Sequence, residues 1–199
     1  MRISTGKVAK QANGAMWVRY GDSVVLVTAQ MDKKGREGLD FLPFTVDYRE
    51  YTYAAGRFPG GFFKREGKPT DPEVLVCRMI DRPMRPLFPE GFHMETQFVA
   101  MVLSTDFENA PDVMAINGAA FALYCSPIPF PRAVGAVRVG HIGGEFVVNP
   151  SMKVMAESRI NLVVAGTKEA ICMVEAGAQE LSEEEMIQML LDEARIWVR

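Results

Sequence analysis

Residues 60–88 read "GGFFKREGKPTDPEVLVCRMIDRPMRPLF": a loop of glycines, aromatic rings and cations runs directly into a helix start. Between Arg57 and Arg85 the chain has seven Lys/Arg against four Asp/Glu, whereas the 199 residues together carry a net charge of −3. A basic segment on an otherwise acidic chain predicts a specific anion site rather than general attraction to nucleic acid.

The helix after this loop is predicted to begin with Asp71 as its cap and Pro72 at the first helical position. Its apolar side is expected to face the core and consists of Val74, Cys77, Ile80 and Met84. Because Pro83 and Pro86 disturb a helix, the position of Arg85 is less regular than those of the arginines before it.

Arg78, Arg82 and Arg85 lie at i, i+4 and i+7, which places them on one side of that helix. Three guanidinium groups in a row can hold successive phosphates, since each forms a planar fork of donors. The alternative is an ordinary solvated helix face, with its charge neutralised by Asp81 and Glu73. The pattern leaves both interpretations open.

Phe62 and Phe63 follow two glycines and precede Lys64 and Arg65. Aromatic rings flanked by cations form a stacking platform for single-stranded bases, with the phosphates held beside them. In the alternative interpretation the rings anchor the loop in the core. Loop and helix together favour single-stranded RNA or DNA as the ligand.

The remaining segments predict an α+β fold with a mixed sheet and packed helices, in a single domain over residues 1–199. The predicted strands are two hairpins, over 15–30 with a turn at Gly21-Asp22 and over 132–149 with a turn at Gly143-Gly144, and single strands at 39–51, 96–105, 159–167 and 171–179. Residues 110–126 form a predicted helix that Gly118, Ala119 and Ala120 allow close to the sheet. A last helix opens with a capping box, Ser182 to Glu185.

Composition excludes several classes of protein. The chain is 48% hydrophobic and 24% charged, which is ordinary for a globular domain, and it shows neither a membrane-spanning stretch nor a secretory signal. Its three cysteines are far apart and odd in number, so a disulfide framework is not expected. Cytoplasmic localisation follows as the expectation.

Catalytic and metal-binding motifs are missing from the sequence. The densest acidic run, 183–185, falls in the first turn of the last helix, where it complements the helix dipole. Asp106 and Glu108 form an isolated pair, and neither His93 nor His141 has a motif partner. We therefore assign no catalytic residue and no metal ligand to this chain.

The segment "FFKREGKPTDPEVLVCRMIDRPMRPLFPEGF" closely resembles bacterial polynucleotide phosphorylases. The resemblance continues through "YGDSVVLVTAQ", "FLPFTVDYREYTYAAGRFPGGFF", "INGAAFAL" and "LVVAGTKEA". It covers residues 5 to about 189, nearly the whole chain. These segments are similar to the first of that family's two ribonuclease PH-like cores, which have the ribosomal protein S5 domain 2-like fold.

This resemblance implies a homotrimeric, phosphate-dependent 3′-to-5′ exoribonuclease of mRNA degradation, which uses magnesium and inorganic phosphate and has other RNA-degradation proteins as partners. In the family, the loop that matches Phe62, Phe63, Lys64 and Arg65 constricts a central channel and contacts RNA. The arginines that match Arg78, Arg82 and Arg85 lie on the basic surface of the first core.

Catalysis is expected in the family's second core. The counterpart segment here, "SRINLVVAG", has Asn161 and Val163 where the active core has Asp and Lys, and "INGAAFAL" lacks the serine-rich phosphate loop. The resemblance thus implies that this chain binds and guides RNA without cutting it and binds no cofactor itself.

The chain also departs from the family pattern. Lys64 replaces the first arginine of the usual FFRR, which keeps the charge but loses the planar fork. The chain is expected to begin within the family's first strand and to end before the second core, with 182–199 as the start of the helical region that follows. Two other interpretations stay open: a ring-forming RNA scaffold without an enzyme, and a small active ribonuclease PH homologue.

Overall fold

Two β-sheets and four α-helices make up the described part of the chain, residues 1–35 and 38–197, in a computed structural model. The first sheet has the order β1-β2-β3-β5-β4. Its strands are β1 (Arg2–Thr5), β2 (Gly14–Tyr20), β3 (Ser23–Met31), β4 (Phe44–Arg49) and β5 (Thr96–Ser104). The second has the order β7-β6-β8-β9. Its strands are β6 (Gly135–Ile142), β7 (Glu145–Val148), β8 (Ile160–Gly166) and β9 (Ile171–Ala178). The helices are α1 (Asp71–Met84), α2 (Pro111–Tyr124), α3 (Met152–Met155) and α4 (Glu183–Trp197).

The first sheet is mixed, as predicted. The hairpin of β2 and β3 turns at Gly21-Asp22 and is antiparallel, whereas β4 runs parallel to β5. Along β3 the side chains alternate, with Val25 and Val27 completely buried and their neighbours partly exposed. This period of two is what a sheet with one face on the core requires. Beside it lies the second sheet, in which each strand pair is antiparallel.

Helix α2 packs between the two sheets. A Cβ atom on Gly118 would lie 2.7 Å from Val27 Cγ2 and 2.9 Å from Val18 Cγ2, so the helix approaches the first sheet as closely as glycine allows. Asn117 reaches the second sheet: its amide nitrogen donates to the Ala136 carbonyl (2.8 Å) and its oxygen accepts from the Ala136 N–H (2.9 Å). The prediction for Gly118 is confirmed.

The larger hydrophobic core is shared by both sheets, since it includes buried residues of β2, β3 and β5 together with Ala136, Val163 and Ala165. A smaller core lies on the other face of the second sheet, where the completely buried Met189 of α4 packs with Val139 and Leu162.

Helix α4 opens with the predicted capping box. Ser182 Oγ accepts from the Glu185 N–H (3.2 Å), and Glu185 Oε2 accepts from the Ser182 N–H (2.9 Å). The helix continues to Trp197, and the last two residues of the helical segment predicted over 182–199 lie outside the described residues. No helix within the described ranges is long and apolar enough to cross a membrane.

Two predictions for α1 are wrong. The cap is Thr70, not Asp71, because Thr70 forms a reciprocal capping box with Glu73. On the apolar side, Ile80 and Met84 are completely buried as predicted, whereas Val74 is exposed and Val76 and Met79 are buried instead. In the first turn the buried side chain is Glu73 rather than Val74, because the Glu73 carboxylate is hydrogen-bonded within the protein.

Candidate nucleic-acid interface

The loop between β4 and α1 holds its aromatic rings in solvent. Phe62 is 93% exposed, Phe63 is 81% exposed, and their rings meet edge to face with centroids 5.5 Å apart. Burying a phenylalanine stabilises a protein by about 1.5–3 kcal/mol, so an isolated chain gains nothing from this arrangement. The alternative in which the rings anchor the loop in the core does not hold in the described chain.

The same loop carries cations that face solvent. Lys64 follows the rings with a positive φ of 50°, and Gly61 before them has a φ of 75°. These two left-handed residues bend the backbone on both sides of the ring pair. Lys64 and the neighbouring Arg65 are exposed and form no ion pair with the residues that the structure describes. Both charges are thus available to an anion next to the rings.

The base of the loop is fastened to the protein. Glu66 Oε1 accepts hydrogen bonds from the N–H (2.9 Å) and the hydroxyl (2.7 Å) of Thr52. Arg49 Nη2 donates to the Gly67 carbonyl at 3.0 Å. Because these bonds join both ends of the loop, its exposed tip projects from a fixed base.

Glu73 fixes the point where the loop enters α1. Its buried carboxylate accepts hydrogen bonds from the N–H groups of Thr70 (2.7 Å) and Glu50 (2.8 Å), and its Oε1 lies 3.3 Å from Arg49 Nε. Burial raises the pKa of Glu73, but these bonds and the charge of Arg49 outweigh it and hold the pKa below the ordinary value. Glu73 therefore stays ionised and serves as a structural anchor, not as a proton donor.

The arginines of α1 lie in three different environments. Arg78 is exposed and has no ion-pair partner among the described residues. Arg82 Nη1 donates to Glu175 Oε2 of β9 at 2.6 Å. Arg85 lies just past the end of the helix, at its C-cap. Of these three arginines, Arg78 alone has no competing contact within the described chain and is fully available to a ligand.

The guanidinium group of Arg85 makes its contacts within the protein. Its Nη2 lies 2.6 Å from Asp81 Oδ1, and its Nη1 and Nη2 donate to the carbonyls of Leu42 and Phe44, each at 3.0 Å. The guanidinium also lies over the Phe44 ring, 5.2 Å from its centroid. These contacts fasten the end of α1 to the segment that enters β4.

A cleft of about 590 Å³ lies beside Asn161, a residue of the segment that the sequence resemblance matches to the catalytic segment of the active core. Asn161 lines it and accepts a hydrogen bond from Arg138 Nη1 at 2.6 Å, while Arg138 Nη2 forms a close ion pair with Asp112. Val163 is buried in the larger core. The two terminal nitrogens of Arg138 are thus occupied by Asn161 and Asp112, its buried Nε has no hydrogen-bond partner among the described residues, and no cationic group stands at position 163.

Carboxylates suited to a metal ion are not grouped in this part of the molecule. Among the side chains that the structure describes, in residues 1–35 and 38–191, no three of His, Cys, Asp or Glu are placed to hold an ion together. Asp106, which the sequence left as an isolated acid, accepts from the N–H groups of Glu108 (2.9 Å) and Asn109 (2.8 Å) and from the Ser23 hydroxyl (2.9 Å). It organises a turn.

Two residues of this surface were missed by the sequence reasoning. Phe58 is 95% exposed on the same loop and follows Arg57, which is also exposed. The signal that identified Phe62, an aromatic ring beside a cation and a glycine-rich turn, would have identified Phe58 as well. Glu175 had no such signal, because its partner Arg82 lies 93 positions away in the sequence.

Profiles of one family match most of the chain. The 3′ exoribonuclease family, domain 1, matches residues 1–129, and domain 2 of the same family matches residues 132–191. Among curated proteins, the chain is 58% identical over 190 residues to a polyribonucleotide nucleotidyltransferase of Koribacter versatilis. It is 56% identical over 187 residues to the protein of that name from Rhodopseudomonas palustris.

These alignments cover 96% and 94% of the chain but only 23% and 26% of the two relatives, so the chain spans about a quarter of their length. Two solved structures share the fold. A chain of the Archaeoglobus fulgidus exosome with RNA bound to the active site superposes with a TM-score of 0.74 at 20% identity, covering 96% of this chain and 82% of that one. Rice Rrp46 superposes with a TM-score of 0.76 at 15% identity, covering 98% and 88%. The predicted ribonuclease PH-like α+β fold is confirmed.

Proposed function

Since the chain belongs to the 3′ exoribonuclease family, we propose that it is the first ribonuclease PH-like core of a phosphorolytic 3′-to-5′ exoribonuclease that degrades mRNA. Its role in that enzyme is to bind single-stranded RNA and guide it toward the catalytic core. The matched segments 1–129 and 132–191 act as one core, a proposal supported by the buried residues that both sheets share.

The observation that carries this proposal is the exposure of Phe62 and Phe63 beside Lys64 and Arg65, which form no ion pair within the described part of the chain. Two rings held in water on a fastened loop suit a ligand with flat apolar faces, and the cations beside them suit its phosphates. Single-stranded RNA has both.

Arg78 and Arg82 extend this surface along α1, where they would receive phosphates of the strand that leaves the loop. Arg85 was expected in the same set, but its guanidinium nitrogens bond to Asp81, Leu42 and Phe44. We therefore give Arg85 a supporting role, in which it holds the end of α1 in place.

Phosphorolysis belongs to another core in this proposal. Asn161 has no ionisable group, and the buried Val163 stands where the active counterpart has Lys, so neither side chain can accept or donate a proton in the reaction, and neither supplies a positive charge for a phosphate. The enzyme uses inorganic phosphate as its second substrate and magnesium as its metal ion. The described residues of this chain do not fit a magnesium site, so no step is assigned to the ion here.

The proposed role as the first core of this enzyme also suggests how copies of the chain assemble. We propose a cytoplasmic homotrimer in which three copies of the loop surround one channel, in association with other RNA-degradation proteins. Such an arrangement explains why the rings are exposed in one chain, since their ligand would lie on the axis between the copies.

The test separates stacking from charge. In the intact protein, replacing Phe62 and Phe63 by alanine should weaken single-strand binding by about 1–3 kcal/mol per lost stack while the salt dependence stays nearly unchanged. Replacing Lys64 and Arg65 by glutamine should instead flatten the slope of log K against log salt by about 0.7 per lost phosphate contact. Parental RNA binding by the phenylalanine variant would overturn the proposal.

An activity assay addresses the other two candidates. The 199-residue chain, incubated with RNA, phosphate and magnesium, should release no nucleoside diphosphates. Release at the rate of an intact enzyme would identify a small active ribonuclease PH homologue instead. If the intact protein binds RNA but never degrades it, the scaffold without an enzyme is the correct function.

A further inference from the structure

We propose that Glu175 is a carboxylate gate on the RNA-binding surface, which competes with RNA phosphates for the guanidinium of Arg82. This inference rests on the proposed function, because it requires that the arginines of α1 receive phosphates. It assigns a role in RNA affinity to a residue of β9, a strand that the sequence does not connect with the basic segment.

The geometry of the pair allows exchange. Arg82 Nη1 and Glu175 Oε2 lie 2.6 Å apart, and the two side chains are 47% and 51% exposed. An ion pair that water reaches from both sides contributes little to stability and weakens further in salt. The contact therefore occupies Arg82 without fixing it, and a phosphate dianion or a strand of phosphates can replace the carboxylate.

The three arginines differ in how easily a phosphate can reach them, and the gate acts on the accessibility of Arg82. Arg85 is bonded to Asp81 and to two backbone carbonyls, so a phosphate would have to break several contacts to reach it. Arg78 has no competing carboxylate in the described part of the chain. Arg82 is intermediate between these two. Its guanidinium is paired with Glu175 through one exchangeable contact, and it becomes available to a phosphate when that contact breaks.

A groove joins these groups. It has a volume of about 480 Å³ and is lined by Leu75, Arg78, Met79, Arg82 and Glu175. Leu75 and Met79 contribute the apolar part of its lining, and Glu175 lines the same groove as the two arginines. A phosphate held on Arg78 would thus lie in the field of the Glu175 carboxylate, which repels it unless the carboxylate turns away.

Strand length decides whether the gate opens. A strand already held by the loop and by Arg78 presents its next phosphate to Arg82 at a high effective concentration. A single phosphate or a mononucleotide has no such second attachment and must displace Glu175 by its own affinity. The gate therefore favours strands over single nucleotides on this surface.

The test is a double-mutant cycle on the intact protein with a fluorescein-labelled oligoadenylate. Glu175→Gln should raise the association constant several-fold and steepen the salt dependence by up to about 0.7 in slope, because Arg82 then meets a phosphate without competition. Glu169→Gln is the matched control: it removes the same charge from the exposed turn between β8 and β9 and should change neither quantity. In the background of Arg82→Gln, the gain from Glu175→Gln should disappear.

Two results would overturn the gate. Either Glu175→Gln behaves like Glu169→Gln, or its gain persists without Arg82, which would show a general charge effect. If these results occur while Arg78→Gln and the phenylalanine variant still weaken binding, the gate fails and the proposed RNA-binding function stands. If Arg78→Gln and the phenylalanine variant bind RNA like the parent, both proposals fail.

Discussion

The carboxylate of Glu73 accepts a hydrogen bond from the backbone N–H of Glu50 at 2.8 Å, which joins the first turn of α1 to the end of β4. These two residues are the boundaries of the segment that carries the exposed rings. One buried side chain therefore sets where the loop leaves the sheet and where it enters the helix. Because Arg49 also lies 3.3 Å from this carboxylate, the site is a buried ion pair as well as a helix cap.

Glu73→Ala is expected to reduce the free energy of unfolding by about 3 kcal/mol, since it leaves the largely buried guanidinium of Arg49 without its carboxylate partner. Glu73→Gln is the control, because it keeps the size and one acceptor oxygen while removing the charge, and it should have a smaller effect. Urea unfolding followed by circular dichroism measures both. Equal losses for the two variants would show that the charge of Glu73 is unimportant.

Asp106 predicts how stability depends on pH. Burial raises the pKa of Asp106, but the hydrogen bonds from Asn109, Glu108 and Ser23 outweigh it and hold the pKa well below the ordinary value. A carboxyl with a depressed folded pKa stabilises the protein above its unfolded pKa of about 3.9, and this stabilisation is lost as the pH falls below that value. The contribution is thus present at neutral pH and decreases in acid.

Asp106→Asn should reduce the free energy of unfolding by about 2 kcal/mol at pH 7, because the new amide group would face donors instead of accepting from them. The gap between parent and variant should narrow at pH 3, where protonation removes part of the parent's advantage. Urea titrations at the two pH values measure it. A gap that stays constant between them would contradict the role of ionisation.

Gly118→Ala tests the close approach of α2 to the first sheet. The new methyl group would lie 2.7 Å from Val27 Cγ2, inside normal contact distance, so the helix must move. A loss of about 1–3 kcal/mol in the free energy of unfolding is expected from this overpacking. Gly67→Ala is the control, since a Cβ there has no neighbour within 4 Å and should leave stability nearly unchanged. Thermal unfolding compares the two.

Substitutions of Arg78 and Arg85 should affect different properties: RNA binding for Arg78 and stability for Arg85. Arg85→Gln removes an ion pair with Asp81 and the bonds to two carbonyls, so the melting temperature should fall. Arg78→Gln removes an exposed charge with no partner among the described residues, so it should leave the melting temperature unchanged and flatten the salt dependence of RNA binding by about 0.7 in slope. A destabilised Arg78 variant with parental RNA binding would reverse this assignment.

Local patterns in the sequence determined most of the secondary structure. The hairpins at Gly21-Asp22 and Gly143-Gly144 and the capping box at Ser182 depend on residues close together in the chain, so alternation, turn residues and cap spacing sufficed to place them. The family resemblance added the fold. Composition and spacing also marked the basic segment and its exposed rings, because these are consecutive along the chain.

Only the tertiary structure decided which charges of that segment are free. Val74 faces water, whereas its neighbour Glu73 is buried and bonded to Glu50 at the end of β4, 23 positions away in the sequence. Arg82 meets Glu175 and Arg85 meets Leu42 and Phe44 across sequence separations of 93, 43 and 41 residues. Such partners have no local signal, since they are brought together by the packing of α1 against strands of two different sheets.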